Sequence, residues 1–286
     1  MKKSVILGAT RADLPLGRRL ALIRKAKFDA VELEIGEEGE FSILTPEADI
    51  RRIARTVRDA GLEVSALLAG LCWKYPLTSE NPQTRKKARA LLERSIRMCA
   101  WAGTDALLVV PAVVQADWAE PGVVSYDTAW ERSMEALTAA LPLAEELGVF
   151  LCIENVWNKF LLSPLEMRQF VDSLSSARAG VYLDVGNIIP YGYPEQWIRI
   201  LGRRIKRIHM KDFKVLGMGF GAFVGLLEGD VNWPEVMTAL GEIHYDGYLT
   251  AEFWPYRHCP ETLLAHISAS MDAVMSLGTK GKSACS

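Results

Sequence analysis

The sequence predicts a single closed (β/α)8 barrel. Eight short apolar or β-branched runs recur along the chain, and each is followed by a longer stretch of helical pattern. This alternation indicates parallel strands joined by right-handed crossovers. The 286 residues also fit one barrel, which typically needs roughly 250. An open eight-stranded sheet is the alternative, and the strand count together with the length favours the closed form.

The strand candidates are short runs in which apolar residues alternate with others or follow one another directly. Such runs are too short for helices and are bounded by polar or glycine-containing segments. In order, the predicted strands cover residues 4–9, 30–35, 63–69, 106–111, 149–155, 180–185, 205–212 and 248–254.

The helix candidates lie between these strands and carry recognisable end signals. Gly61, Gly103 and Gly148 each stand directly before a strand, where glycine supplies the left-handed cap of the preceding helix. Ser163 precedes a proline, and Glu166 falls in the first turn, which indicates a helix start. The predicted helices cover residues 14–27, 46–60, 81–102, 126–147, 164–174, 194–201, 233–243 and 261–277.

The composition excludes several classes of protein. Lys and Arg total 33 against 35 Asp and Glu, so the basic excess typical of nucleic-acid binding is missing. No apolar run approaches the roughly 20 residues that span a bilayer, and the N-terminus lacks a signal-peptide pattern. The five cysteines are irregularly spaced, which is typical of reduced thiols in a cytoplasmic enzyme. We expect a barrel over residues 1–278 and a flexible tail over residues 279–286.

Four ionisable residues recur at one position on four successive strands. Alternation places Glu154, Asp184, His209 and Glu252 on the inward face of the last four strands, near the C-terminal ends. Active sites of (β/α)8 barrels lie at that end. Burying three carboxylates together is costly unless a cation lies between them. The pattern therefore predicts a cation site at the mouth of the barrel.

The residue types narrow the choice of cation. One imidazole and three carboxylates form an oxygen-rich ligand set, which suits Mn²⁺, Mg²⁺ or Co²⁺ better than structural zinc. Of these we expect Mn²⁺ first. Lys211 lies two residues beyond His209 and shares its inward face. It either binds a substrate oxygen or forms an ion pair with Asp212 or a barrel carboxylate.

Six segments of the chain resemble one known family. Taken together, they look like the sugar phosphate isomerase/epimerase family with the xylose-isomerase-like barrel. Within that family, the motif sequences look closest to those of 3-epimerases that act on pentulose 5-phosphates. The resemblance covers essentially the whole chain, and it rests on the order and spacing of the motifs. The segments are FDAVEL (28–33), CIEN (152–155), YLDVGN (182–187), IHMKD (208–212), EGDVNW (228–233) and TAEFW (250–254).

The resemblance implies a metal site and a reaction. Ketose 3-epimerases of this family hold one divalent ion with Glu, Asp, His and Glu, which correspond here to Glu154, Asp184, His209 and Glu252. In that family the two glutamates also act as acid and base. The implied activity inverts C3 of a ketose by removing and returning a proton through a metal-stabilised enediolate.

Further residues are predicted to contact the sugar. Glu32 is expected to touch substrate hydroxyls or to pair with an interior base such as Arg207. Asn187 stands where free-ketose 3-epimerases more often carry histidine, which leaves the phosphorylation of the substrate open. The remaining predicted substrate contacts lie on the inward face or in loops after the strands, and they are Lys211, Trp73, Lys74 and Trp157.

Other functions remain open. Aldose–ketose isomerases and inosose dehydratases use related barrels, and the metal ligands alone do not separate them from epimerases. A sugar-binding barrel without catalysis is the non-enzymatic alternative, and the complete ligand set argues against it. A DNA-repair endonuclease is disfavoured because its metal site uses many histidines and this chain has four. The resemblance also implies a small-molecule sugar partner and a homodimer.

Overall fold

Eight strands form the closed barrel that the sequence predicts. The structure is a computed structural model that describes residues 1–119, 122–216 and 222–280. The barrel strands are β1 (Lys2–Ile6), β2 (Ala30–Glu34), β3 (Glu63–Leu68), β4 (Ala106–Val109), β5 (Phe150–Glu154), β6 (Ala179–Asp184), β7 (Ile205–Met210) and β10 (Tyr248–Ala251). Neighbours follow the order β1, β10, β7, β6, β5, β4, β3, β2, and β2 pairs with β1 in parallel to close the sheet.

Helices alternate with the strands, and the predicted end signals work locally as expected. The Ser163 hydroxyl accepts a hydrogen bond from Glu166 N at the start of one helix. Gly103 and Gly148 adopt left-handed φ angles of 77° and 71° at the ends of two others. The helices are α1 (Leu16–Lys25), α2 (Glu47–Asp59), α3 (Pro82–Ala102), α4 (Tyr126–Leu147), α5 (Pro164–Ser173), α6 (Val185–Ile188), α7 (Pro194–Leu201), α8 (Trp233–Glu242) and α9 (Thr262–Lys280).

Every barrel strand ends one to three residues before its predicted position. β1 ends at Ile6, and Leu7–Ala9 forms a 3-10 turn. β7 ends at Met210, and the next residues form β8 (Asp212–Phe213), which pairs antiparallel with β9 (Phe223–Val224). The last barrel strand ends three residues before the predicted position 254. Apolar character alone overestimates β1, because Leu7–Ala9 is still apolar where the chain turns out of the barrel.

By its internal contacts the chain divides into two compact units. Of the described residues, those in the ranges 1–32, 56–65 and 183–286 form one unit, and those in the ranges 33–55 and 66–182 form the other. In the first unit Val5, Ile208 and Leu249 are completely buried. In the second unit, Leu108 and Tyr182 belong to one apolar cluster.

The last helix extends into the predicted tail. α9 continues to Lys280, so the helix includes residues 279 and 280 of the predicted tail. Residues 281–286 of that tail lie outside the described residues. Among the residues that the structure describes, no helix is both long and apolar enough to cross a bilayer.

Candidate metal centre

The four predicted inward residues lie at corresponding points of successive strands. Glu154 is the last residue of β5 and Asp184 the last of β6, while His209 lies in β7 and Glu252 directly follows β10. The Glu252 N–H donates to Met210 O at 3.4 Å, which extends the pairing of β10 with β7 by one residue. Asp184 and His209 are completely buried, and Glu154 is 7% exposed.

The side chains of these residues converge. Each of Glu154, Asp184, His209 and Glu252 offers one ligand atom, and these atoms lie within 4.8 Å of one another. His209 Nδ1 is 2.9 Å from Glu252 Oε2 and 3.9 Å from Asp184 Oδ2. We call these four residues the acid–histidine cluster. Its spacing and burial fit a divalent cation, because a cation compensates carboxylates that would otherwise repel each other.

The second nitrogen of the histidine supports this fit. His209 Nε2 lies 3.0 Å from Glu32 Oε1, and the side chain of Glu32 is 1% exposed. This geometry fits a hydrogen bond in which Nε2–H donates to the Glu32 carboxylate. The opposite nitrogen, Nδ1, faces Glu252 and Asp184, where it can ligate a cation once it carries no proton. Histidine ligands of metals commonly have such a carboxylate behind them.

Lys211 lies against two members of the acid–histidine cluster. Its Nζ is 2.9 Å from Asp184 Oδ2 and 2.7 Å from Glu252 Oε2. Of the alternatives considered for Lys211, the structure shows the pairing with barrel carboxylates, and its contact with substrate stays a prediction. Asp212, the other partner considered, is completely buried and accepts hydrogen bonds from Phe213 N, Leu227 N and the Trp233 indole. Asp212 therefore organises the loop after β7.

The surroundings shift the pKa values of Asp184 and Glu252 in opposite directions. Burial raises the pKa of Asp184, and the charge of Lys211 only partly offsets this rise. Burial also acts to raise the pKa of Glu252, but the charges of Lys211 and His209 outweigh it and hold this pKa well below its usual range. Glu252 is consequently ionised at neutral pH, as a metal ligand must be.

The start of α6 brings Asn187 and Lys211 close to Asp184. Asp184 Oδ1 accepts a hydrogen bond from Asn187 N at 3.0 Å and so caps the helix. The Asn187 side chain is buried. Gly186 permits the close approach of this turn to β7, because a Cβ atom there would lie 2.6 Å from Lys211 Cβ. Glycine is the residue that this contact requires.

The three predicted substrate contacts in loops have their own neighbours in the second compact unit. Trp73 is half-buried and packs edge-to-face on Trp118, with ring centroids 5.3 Å apart. Lys74 is exposed, and its Nζ lies 2.5 Å from Glu37 Oε2. Trp157 is half-buried in the segment that follows β5. The Lys74 contact with Glu37 was not predicted, since the two residues belong to different loops and share no motif.

Two relatives and one solved structure that resemble this chain are all named as 3-epimerases. The putative L-ribulose-5-phosphate 3-epimerase SgbU of Escherichia coli K12 is 27% identical over 252 residues, which cover 86% of each chain. The D-psicose 3-epimerase of Agrobacterium fabrum is 25% identical over 82% of this chain and 78% of the relative. A solved L-ribulose 3-epimerase has the same fold, with a TM-score of 0.80 at 20% identity and coverage of 100% of this chain and 98% of the other.

The family match spans most of the sequence. Residues 20–273 match the family described as xylose isomerase-like TIM barrel, and this range contains every member of the acid–histidine cluster. The predicted resemblance is therefore confirmed, and the chain belongs to the xylose isomerase-like TIM barrel family.

Proposed function

We propose that this protein is a metal-dependent epimerase that inverts C3 of a ketose or ketose phosphate. The observation that carries the proposal is the acid–histidine cluster, in which two glutamates accompany an aspartate and a histidine at the ends of barrel strands. The relatives named as 3-epimerases of L-ribulose 5-phosphate and D-psicose support the same reaction. The activity places the protein among the isomerases.

Glu154, Asp184, His209 and Glu252 are the residues that would hold the metal. The set offers one nitrogen and three carboxylate groups, so Mn²⁺ is the ion we propose, with Mg²⁺ and Co²⁺ as alternatives. When bound, a divalent ion polarises the ketone of the substrate and thereby acidifies the neighbouring C–H bond.

The two glutamates are proposed to move the proton. One of Glu154 and Glu252 accepts the proton from C3, and the electron pair of the broken C–H bond delocalises onto the carbonyl oxygen. The other glutamate, which must carry a proton at the start of the turnover, donates it to the opposite face of C3 as the electron pair returns to that carbon, which inverts the centre. This scheme requires one glutamate to be ionised and the other to be protonated before each turnover.

Other residues are proposed to bind and orient the sugar. Lys211 holds a positive charge beside Asp184 and Glu252, where an ammonium group can donate to a substrate oxygen. Asn187 lies in the turn directly after Asp184 and offers an amide for a hydroxyl. In the loops, Trp73 and Trp157 are proposed to pack on the sugar, and Lys74 is proposed to bind a phosphate group when it releases Glu37.

The same metal ligands are compatible with other activities. An aldose–ketose isomerase or an inosose-type dehydratase is the second candidate, because the same ligand set serves those reactions. A sugar-binding barrel is the non-enzymatic candidate. We further propose that the protein is cytoplasmic, because its five cysteines are odd in number and irregularly spaced. We also propose a homodimer, which rests on the family resemblance.

Activity after metal removal and restoration tests the proposal. Protein treated with a chelator is assayed on free ketoses and their 5-phosphates, before and after addition of Mn²⁺, Mg²⁺ or Co²⁺. We expect turnover to need the metal, and we expect Glu154→Gln and Glu252→Gln to lose at least about 100-fold in rate with an unchanged circular dichroism spectrum. Glu63→Gln, an exposed carboxylate paired with Lys2, is the matched control. Near-normal turnover in both site variants would overturn the proposal.

A further inference from the structure

We propose that Glu32 is a positioning residue for His209. By accepting a hydrogen bond from Nε2, Glu32 orients the imidazole ring so that Nδ1 faces the acid–histidine cluster. This assigns Glu32 a different task from the substrate contact that the sequence predicts. The role of Nδ1 as a ligand rests on the proposed function, whereas the hydrogen bond between the two side chains does not.

The contact joins two strands that are distant in sequence. Glu32 lies in β2 and His209 in β7, 177 positions apart, and Glu32 Oε1 is 3.0 Å from His209 Nε2. Glu32 is 1% exposed and His209 is completely buried. Water is therefore a poor competitor for either group, and a hydrogen bond to a charged acceptor is strong in such surroundings.

The acceptor determines which nitrogen of the His209 ring donates the hydrogen bond. A carboxylate can only accept, so a hydrogen bond across this 3.0 Å contact uses a proton on His209 Nε2. The opposite nitrogen, Nδ1, faces Glu252 Oε2 at 2.9 Å and Asp184 Oδ2 at 3.9 Å. With Nε2 as the hydrogen-bond donor to Glu32, Nδ1 is the ring nitrogen left to ligate a cation among these oxygens, after loss of any proton that it carries. Loss of the Glu32 acceptor would remove this hydrogen bond, which favours a rotated or differently protonated ring.

Two substitutions of similar size separate the acceptor from the charge. Glu32→Gln keeps an oxygen that can accept from Nε2 and removes the negative charge. Glu32→Met fills a similar volume and removes both. Loss of an outer-shell partner typically lowers metal affinity about 10- to 100-fold. We therefore expect a loss in that range for Glu32→Met and only a few-fold loss for Glu32→Gln.

The experiment is isothermal titration of the metal-free protein with Mn²⁺, with Glu63→Gln as control. Glu63 also lies on a barrel strand, but it is exposed and pairs with Lys2, so its loss should leave Mn²⁺ affinity unchanged. Wild-type affinity in Glu32→Met overturns the inference, and so does an equal loss in both Glu32 variants, which would assign the effect to charge alone. A raised KM for sugar with unchanged Mn²⁺ affinity would return Glu32 to substrate binding.

A second measurement needs no variant to fold and no metal to bind. The chain has four histidines, so ¹⁵N labelling of histidine gives a spectrum that can be assigned residue by residue. We expect His209 to show a solvent-protected proton on Nε2. Its absence overturns the inference. If wild-type protein binds no Mn²⁺ while this proton is present, the proposed function fails and the positioning by Glu32 stands.

Discussion

Replacing Lys211 by methionine perturbs the charge balance of the acid–histidine cluster. Lys211 Nζ lies 2.9 Å from Asp184 Oδ2 and 2.7 Å from Glu252 Oε2, and its side chain is 12% exposed. Methionine keeps much of the volume and removes the ammonium group. In metal-free protein the two carboxyl groups then lose a nearby positive charge and must be partly protonated or repel each other.

The magnitude follows from these distances. At an effective dielectric constant of about 20, one contact of this length provides about 6 kcal/mol of gross attraction. Desolvation of the three groups offsets most of this energy, and removal of one partner of a buried pair typically costs about 3–5 kcal/mol. We expect the free energy of unfolding of metal-free Lys211→Met to fall by about 3 kcal/mol.

Urea unfolding in the presence of a chelator, and again with Mn²⁺, measures the effect. Mn²⁺ at about 1,000 times its Kd adds about 4 kcal/mol to the native state, so the variant should recover stability when the metal is present. The control is Lys2→Met, because Lys2 is 53% exposed and its pair with Glu63 should contribute at most about 1 kcal/mol. Equal unfolding free energies for Lys211→Met and wild type in chelator would refute the electrostatic reasoning.

Three further predictions concern other parts of the molecule. Asp212→Asn replaces a buried acceptor of several N–H groups by an amide, and we expect a loss of at least about 2 kcal/mol in urea unfolding. Gly186→Ala places a Cβ atom 2.6 Å from Lys211 Cβ, and thermal unfolding should show a loss of about 1–3 kcal/mol. Burial raises the pKa of the Cys72 thiol to about 11, so at pH 8 iodoacetamide should label the exposed Cys259 first, and Cys72 should become reactive only as the pH approaches 11. Wild-type stability in either variant, or equal labelling at pH 8 by peptide mass spectrometry, would contradict the corresponding prediction.

Much of the fold could be predicted because local patterns carry it. The alternation of apolar runs with capped helical stretches identified every barrel strand, and Gly103 and Gly148 end their helices as expected. The inward phase of the acid–histidine cluster followed from the two-residue period of a strand. Strand ends were less predictable, because the chain directly after β7 leaves the barrel and pairs with β9 instead.

The contacts that the sequence did not predict join distant residues. Glu32 and His209 lie on strands that only the closed barrel brings together, and no local pattern links them. Asp212 illustrates the same limit, since its partners Leu227 and Trp233 belong to a later loop and helix. Its neighbour Lys211 made a local ion pair plausible, whereas the backbone N–H groups of the loop needed the carboxylate as an acceptor.

Proton NMR in D₂O tests the central claim most directly. Metal-free protein receives Mg²⁺, or Mn²⁺ at trace level, and a panel of ketoses and ketose 5-phosphates, and deuterium uptake is followed at each carbon. The account predicts uptake at C3 together with formation of the C3 epimer, only when the metal is present and not with Glu252→Gln. Uptake at C1 with an aldose product, or metal-independent exchange, would contradict it.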